Sequence, residues 1–177
     1  MVNHFGPFYL TYLLLDTLSK AKEGRIVNVA SLMHDQTKNY VADDVDCSKS
    51  WASIDVYSQS KLANVMFTFS LADRFEKSRP NLKAVSLHPG IVDTNFQQAS
   101  CLFTCMKYVC CCFFQKAENG AMASLHASRM PWADIKSGTY FDTDTSIKEP
   151  SDASKNREEC EKLWKAGEKA FGIKFDV

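Results

Sequence analysis

Apolar residues recur at three- and four-residue steps from residue 2 to about residue 23, at Phe5, Phe8, Tyr9, Tyr12, Leu13, Leu15 and Leu18, and Gly24 closes the run. That spacing predicts a helix ended by a glycine. The pattern then changes. Arg25-Ile26-Val27-Asn28-Val29-Ala30-Ser31 is short and rich in β-branched residues, as a buried parallel strand is. Residues 33–55 are polar and acidic and read as a loop. A second long helix is predicted over 57–77, with Leu62, Val65, Met66, Phe69, Ala72 and Phe75 on one side and Pro80 just past its end. Residues 82–88 form the next strand, stopped by the turn Pro89-Gly90. An apolar, cysteine-rich segment at 101–114 is expected to be a short helix. Beyond it come a helix over 117–129, a strand over 138–141 and a terminal helix over 152–171. Leu163, Trp164, Gly167, Ala170 and Phe171 of that helix turn inward, and Gly172 caps it.

Helices alternating with strands predict an α/β protein whose parallel sheet is covered on both faces. Only three strands are visible, few for a doubly wound sheet. The first would be an edge with bare backbone groups unless something pairs with it. Residues 1–7 run straight into the apolar stretch with no capping sequence or leading strand, so the chain is expected to open inside an element.

Composition narrows the function classes. With 177 residues, 45% hydrophobic and 24% charged, the chain is long enough for one globular domain. Its 21 basic and 21 acidic residues cancel, so no basic field favours nucleic acid. No apolar run reaches the roughly 18 residues of a membrane-spanning helix, and no N-terminal signal pattern is present. Five of the seven cysteines (Cys101, Cys105, Cys110, Cys111, Cys112) crowd into one segment. An odd count in a chain with a full apolar core points to a reducing compartment rather than a disulfide scaffold. Zinc would call for paired C-x-x-C spacing and a nearby histidine, so these thiols are expected to be apolar fillers or acylation sites. The acidic group Asp43, Asp44 and Asp46 reads as a solvated loop rather than a metal site.

The chemistry gathers at the start of the second helix. Tyr57 and Lys61 are four residues apart and share a face. A neighbouring ammonium favours phenolate over phenol, which makes Tyr57 usable as a general acid or base. Alone, this spacing is common on helices. Asn64 and Thr68 continue the stripe and favour a polar, inward-facing site. Ser31 ends the first strand, at the sheet edge where open α/β folds place their sites. A serine and a tyrosine hydroxyl side by side could hold a substrate oxygen by two donors; alternatively, Ser31 merely caps the strand end. His88-Pro89-Gly90-Ile91-Val92-Asp93-Thr94 ends the next strand at the same edge.

Taken together, Asn3-His4-Phe5-Gly6-Pro7-Phe8, the strand 25–31, Tyr57-Ser58-Gln59-Ser60-Lys61-Leu62-Ala63-Asn64 and the turn 87–94 resemble, in order and spacing, the short-chain dehydrogenase/reductase family. Within it they are most similar to the retinol dehydrogenase group. Glu118-Asn119-Gly120-Ala121, Gly138-Thr139-Tyr140-Phe141 and Leu163-Trp164 extend the likeness along the chain. The resemblance implies the C-terminal portion of a doubly wound, parallel-sheet Rossmann fold, with about three parallel strands and flanking helices. It implies that Tyr57 is the acid/base, that Lys61 lowers its pKa and holds the nicotinamide ribose, and that Ser31 positions the substrate oxygen. Asn3 would support a proton-relay water, and Pro89, Gly90, Ile91 and Thr94 would flank the nicotinamide. Ala30 replaces the first serine of the family's usual pair.

One family feature is absent. Neither the Gly-rich strand-turn-helix that holds the pyrophosphate nor the residue that reads the adenosine ribose occurs in these 177 residues. At about 30 residues per strand-helix unit, roughly 100 residues and four strands of the family pattern are missing. Residues 1–177 are therefore expected to be one incomplete domain, the catalytic and substrate-binding half of a dehydrogenase. The expected reaction is hydride transfer between NADP(H), with NAD(H) left open, and a lipophilic, retinol-like alcohol or carbonyl. The alternative is a truncated, inactive homologue acting through dimerisation or binding. The expected partners are a lipophilic small molecule, a membrane surface met peripherally through 101–114, and a second copy through helices 2–23 and 57–77. No nucleic acid is expected. The resemblance places such a protein on the cytoplasmic side, associated with the endoplasmic reticulum membrane.

Overall fold

The computed structural model describes residues 2–37, 44, 53–93 and 114–177. Helix α1 (Val2–Leu18) leads into strand β1 (Gly24–Val29), and the long helix α2 (Ser53–Ser78) into β2 (Leu82–Leu87). Helix α3 (Ala117–Arg129), the short strands β3 (Tyr140–Phe141) and β4 (Ile147–Lys148), and helix α4 (Arg157–Phe171) complete the described elements. The sheet order is β1-β2-β3-β4. β1, β2 and β3 are parallel, in register from Gly24 opposite Leu82 to Val29 opposite Leu87 and then from Ser86 opposite Tyr140. β4 returns antiparallel to β3. The α/β class and its three parallel strands thus hold, and the fourth, antiparallel strand is an addition. Its two residues are both exposed and follow no apolar alternation, so periodicity could not mark it.

Side-chain alternation along the strands distributes two cores. Leu82 and Ala84 of β2 face the side that carries α1, α2 and α4, packing with Phe8, Leu15, Phe67, Leu71, Phe75, Trp164 and Phe175. Val85 and Leu87 face the other side, with Ala123 and Ala127 of α3, Ile135 and Phe141. A parallel sheet needs this cover on both faces. The first core is an aromatic lock: the Phe8 ring lies 5.3 Å from Phe67, 5.4 Å from Trp164 and 5.2 Å from Phe175, centroid to centroid. Gly167 lets α4 come this close, since a Cβ there would stand 2.7 Å from the Phe8 ring.

Several boundaries differ from the periodicity. α1 stops at Leu18, not near residue 23, because the chain tightens there: Lys20 N–H bonds to the Thr17 carbonyl, and the Asn81 amide caps the carbonyls of Ser19 and Ala21. The terminal helix begins at Arg157 rather than 152. Asn156 interrupts it, accepting the backbone N–H groups of Glu158 and Glu159 on its side-chain oxygen, and a 3-10 turn, Asp152–Lys155, precedes it. The stretch read as loop contains another such turn, Leu32–Gln36. Thr94, Asp43, Asp46, the five crowded cysteines and, apart from Phe114, the expected helix 101–114 lie outside the described residues. Among the described residues no helix is long and apolar enough to cross a membrane.

Candidate active site at the carboxyl edge of the sheet

The site is assembled by α2 crossing the carboxyl end of β1. Lys61, one turn into the polar stripe of α2, extends its ammonium to the Val29 carbonyl at 3.0 Å. Its Nζ also lies 5.7 Å from the centroid of the Tyr57 ring, as the four-residue spacing requires. Ser31 follows two residues after Val29 and is buried. Its Oγ accepts the Met33 N–H at 3.2 Å, capping the 3-10 turn. That contact occupies an oxygen lone pair and leaves the hydroxyl hydrogen available. Tyr57, Lys61 and Ser31 therefore belong to one corner, where the end of β1 meets the start of α2. Burial holds the Lys61 pKa below the ordinary lysine value.

Asn3 reaches the same corner from α1. Its Nδ2 donates to Ser60 Oγ at 3.2 Å, and that hydroxyl donates to the Tyr57 carbonyl at 2.7 Å. Pro7 stands inside α1, four residues after Asn3. A proline has no N–H, so the Asn3 carbonyl loses its intrahelical donor. Deeper along the same seam, Asn28 of β1 donates to Thr68 Oγ1 at 2.9 Å, which in turn donates to the Asn64 carbonyl. Between these contacts lies fully buried His4, with neither ring nitrogen hydrogen-bonded; Asn64 Oδ1 is likewise unsatisfied. Burial lowers the His4 pKa to about 4, only partly opposed by Asn64.

The turn after β2 supplies the other wall. Pro89 and Gly90 are half-buried and Ile91 is exposed. Gly90 has φ +86°, and a Cβ there would meet the Gln115 side chain at 2.9 Å and Thr143 at 3.0 Å, so both conformation and space require glycine. A parallel bridge between Val92 and Gln115 ties the end of this turn to the start of the α3 segment. His88, before the turn, accepts the Leu32 N–H on Nδ1 at 3.1 Å, and His34 contacts the Ser31 carbonyl through its own Nδ1 at 2.7 Å. In the sequence His4 and His88 stand out only as members of their motifs, and His34 does not stand out. His34 lies in a polar stretch with no periodicity, and the burial of His4 depends on α1 meeting α2.

The groups that would meet a nicotinamide and its ribose fit that half of a dinucleotide: a lysine with N–H groups beyond the one given to Val29, a tyrosine hydroxyl beside it and a glycine turn. Nothing among the described residues fits the pyrophosphate half, because Gly6 lies within α1 and Gly24 within β1, and neither forms a phosphate-binding turn.

The structure thus brings a tyrosine, a lysine and a serine to the carboxyl edge of an open α/β sheet. The family model of the short chain dehydrogenases matches residues 1–101, and the chain belongs to that family. It is 33% identical over 175 residues to retinol dehydrogenase 12 of Mus musculus, covering 99% of this chain and 54% of that protein. Against retinol dehydrogenase 11 of Homo sapiens the identity is 32% with the same coverages. The chain thus spans about half the length of these curated relatives. Among solved structures, an uncharacterised protein from Mycobacterium Paratuberculosis superposes with TM-score 0.72 at 26% identity, over 99% of this chain and 59% of that one. An NADPH-bound carbonyl reductase from chicken fatty liver shares the fold, with TM-score 0.57 at 18% identity over 82% of this chain and 53% of its own.

Proposed function

We propose that this chain is the catalytic and substrate-binding half of a nicotinamide-dependent oxidoreductase that interconverts a lipophilic carbonyl compound and its alcohol, retinal and retinol being the model pair. The observation that carries the reading is the bond from Lys61 to the Val29 carbonyl, which brings the Tyr57 end of α2 over the strand end bearing Ser31. When bound, the nicotinamide supplies or accepts the hydride. In the reducing direction Ser31 and Tyr57 donate hydrogen bonds to the substrate oxygen and stabilise its developing negative charge. Tyr57 then delivers the proton, and the Lys61 ammonium stabilises the phenolate left behind. Asn3 leads the replacement proton inward from α1, its carbonyl spared an intrahelical bond by Pro7. NADP(H) is favoured as the cofactor, in keeping with the bound cofactor of the chicken carbonyl reductase, and NAD(H) is the comparison in the assay. The covered faces of α1 and α2 are packed within the chain by Trp164 and Phe175, so a dimer through these helices would use the exposed Leu10, Leu13 and Leu14. We place the protein on the cytoplasmic face of an intracellular membrane, a location that cell fractionation tests.

The functional test compares the 177-residue chain with the same chain fused behind the N-terminal half of retinol dehydrogenase 12 of Mus musculus. NADPH fluorescence titration and retinal reduction are the readouts. Binding and turnover by the fusion support the reading. A fusion that binds NADPH yet reduces no carbonyl would favour the alternative, an inactive homologue acting through association.

A further inference from the structure

The Ser31–Leu32 peptide unit is held by two imidazoles. Its carbonyl accepts from His34 Nδ1 at 2.7 Å, and its N–H donates to His88 Nδ1 at 3.1 Å. In a trans peptide these two groups point in opposite directions, so the contacts fix the plane from both sides. The remaining contacts assign the tautomers. His34 Nε2 accepts the Ser151 N–H at 3.2 Å, so the proton of a neutral His34 is on Nδ1. His88 Nδ1 also faces the Gly90 N–H at 3.4 Å, so it is an acceptor and the ring proton is on Nε2. Both rings are buried. The His34 ring packs 4.9 Å from Tyr140, which closes its third side.

We propose that His34 and His88 are positioning residues that hold the Ser31–Leu32 peptide plane, and through it the Ser31 hydroxyl, in the orientation the substrate oxygen meets. The inference rests on the reading of Ser31 as the residue that receives that oxygen. It draws together three segments distant in sequence: the end of β1, the end of β2 and the 151 region before α4. It also makes the two neutral rings interdependent. A protonated His88 could accept neither N–H, and a protonated His34 could not accept from Ser151. Burial pushes both imidazoles below the ordinary histidine value. For His34, the bond to the Ser31 carbonyl and then Asp35 oppose that shift, and Lys148 reinforces it. For His88, Asp142 opposes it, and Lys148 and His34 reinforce it. The His88 contacts are therefore intact at neutral pH and lost as pH falls through its lowered value, and His34 then gives up Ser151 while keeping its bond to the Ser31 carbonyl, since an imidazolium Nδ1–H still donates.

Long-range 1H–15N spectra of the unaltered 177-residue chain read the tautomers directly. The expected result is an Nδ1–H ring at His34 and an Nε2–H ring at His88. In a second arm, His88→Ala speeds amide exchange at Leu32 about tenfold, the loss expected for one hydrogen bond. His88→Asn, whose side-chain oxygen can accept the same N–H, recovers most of the protection. In the fused enzyme His88→Ala lowers kcat by more than it weakens NADPH binding, and His88→Asn restores kcat, a split that a general loss of folding would not give. An Nδ1–H ring at His88, an Nε2–H ring at His34, or unchanged Leu32 exchange in His88→Ala would overturn the proposal. If His88→Ala fails to fold, the tautomers of the unaltered chain still decide. A fusion without turnover would refute the functional reading while the tautomer result stood, so the two failures are distinguishable.

Discussion

The two ends of α2 are held by different forces. Toward its amino end, polar residues share the buried side with Leu62, Ala63, Val65 and Met66: Ser58, Ser60, Asn64 and Thr68 are buried, and hydrogen bonds link this stretch to Asn3 and Asn28, while Lys61 reaches Val29. At its carboxyl end Leu71 and Phe75 are fully buried among Phe8, Trp164 and Phe175. Hydrogen bonds fix direction within narrow limits and contribute only about 1 kcal/mol net each. Packed aromatics contribute more stability and tolerate rotation less by rule than by shape. The helix thus separates orientation from stability along its length, so substitutions at its two ends should separate as well.

The largest expected effect is on catalysis. Tyr57→Phe in the fused enzyme should lower kcat about 100- to 10,000-fold, the range for loss of a general acid, with the urea midpoint nearly unchanged. Trp164→Ala should do the reverse, destabilising the fold by about 3–5 kcal/mol while the enzyme that remains folded keeps its kcat. If Trp164→Ala instead abolished turnover in fully folded protein, the division between the two ends would fail.

Acid probes the seam between them. His4 is neutral when folded, with a pKa of about 4 against 6.5 for the free side chain. The unfolded chain therefore gains a proton first as pH falls. Stability is complete above pH 6.5 and declines between 6.5 and 4, by about 3 kcal/mol from this residue. Urea titrations across that range check the slope, and His4→Leu should flatten it. The smallest effect is expected at Gly167→Ala, where the new methyl meets the Phe8 ring. Overpacking of this kind costs about 1–3 kcal/mol, readable as a lowered Tm with NADPH binding by the fusion unaltered.

Much of this arrangement was legible in the sequence because it rests on periodicity. Four helices and three parallel strands follow from apolar spacing, and the Tyr57 to Lys61 pair follows from helical geometry. The strand β4 was not legible, being two exposed residues. The break at Asn156 is not marked by a glycine or proline between residues 152 and 157, although Asn156 followed by Glu158 and Glu159 is a capping signal. The histidines are the instructive omission. His4, His34 and His88 owe their environments to contacts between elements, 117 residues apart in the case of His34 and Ser151. Local pattern carries no trace of such pairings. Ser31 lies two residues past the end of β1 rather than at the end of a strand over 25–31, and the contacts that orient it belong to the tertiary structure.

Half-cofactors test the proposed division, in which residues of this chain hold the nicotinamide half of a dinucleotide and nothing among the described residues fits the pyrophosphate half. Titrating the 15N-labelled 177-residue chain with reduced nicotinamide mononucleotide, and separately with ADP-ribose, should shift amides at Val29 to Leu32, Tyr57 to Lys61 and Gly90 with the first ligand and leave them unmoved with the second. Shifts produced by ADP-ribose, or a response to the mononucleotide that bypasses Lys61 and Ser31, would contradict it.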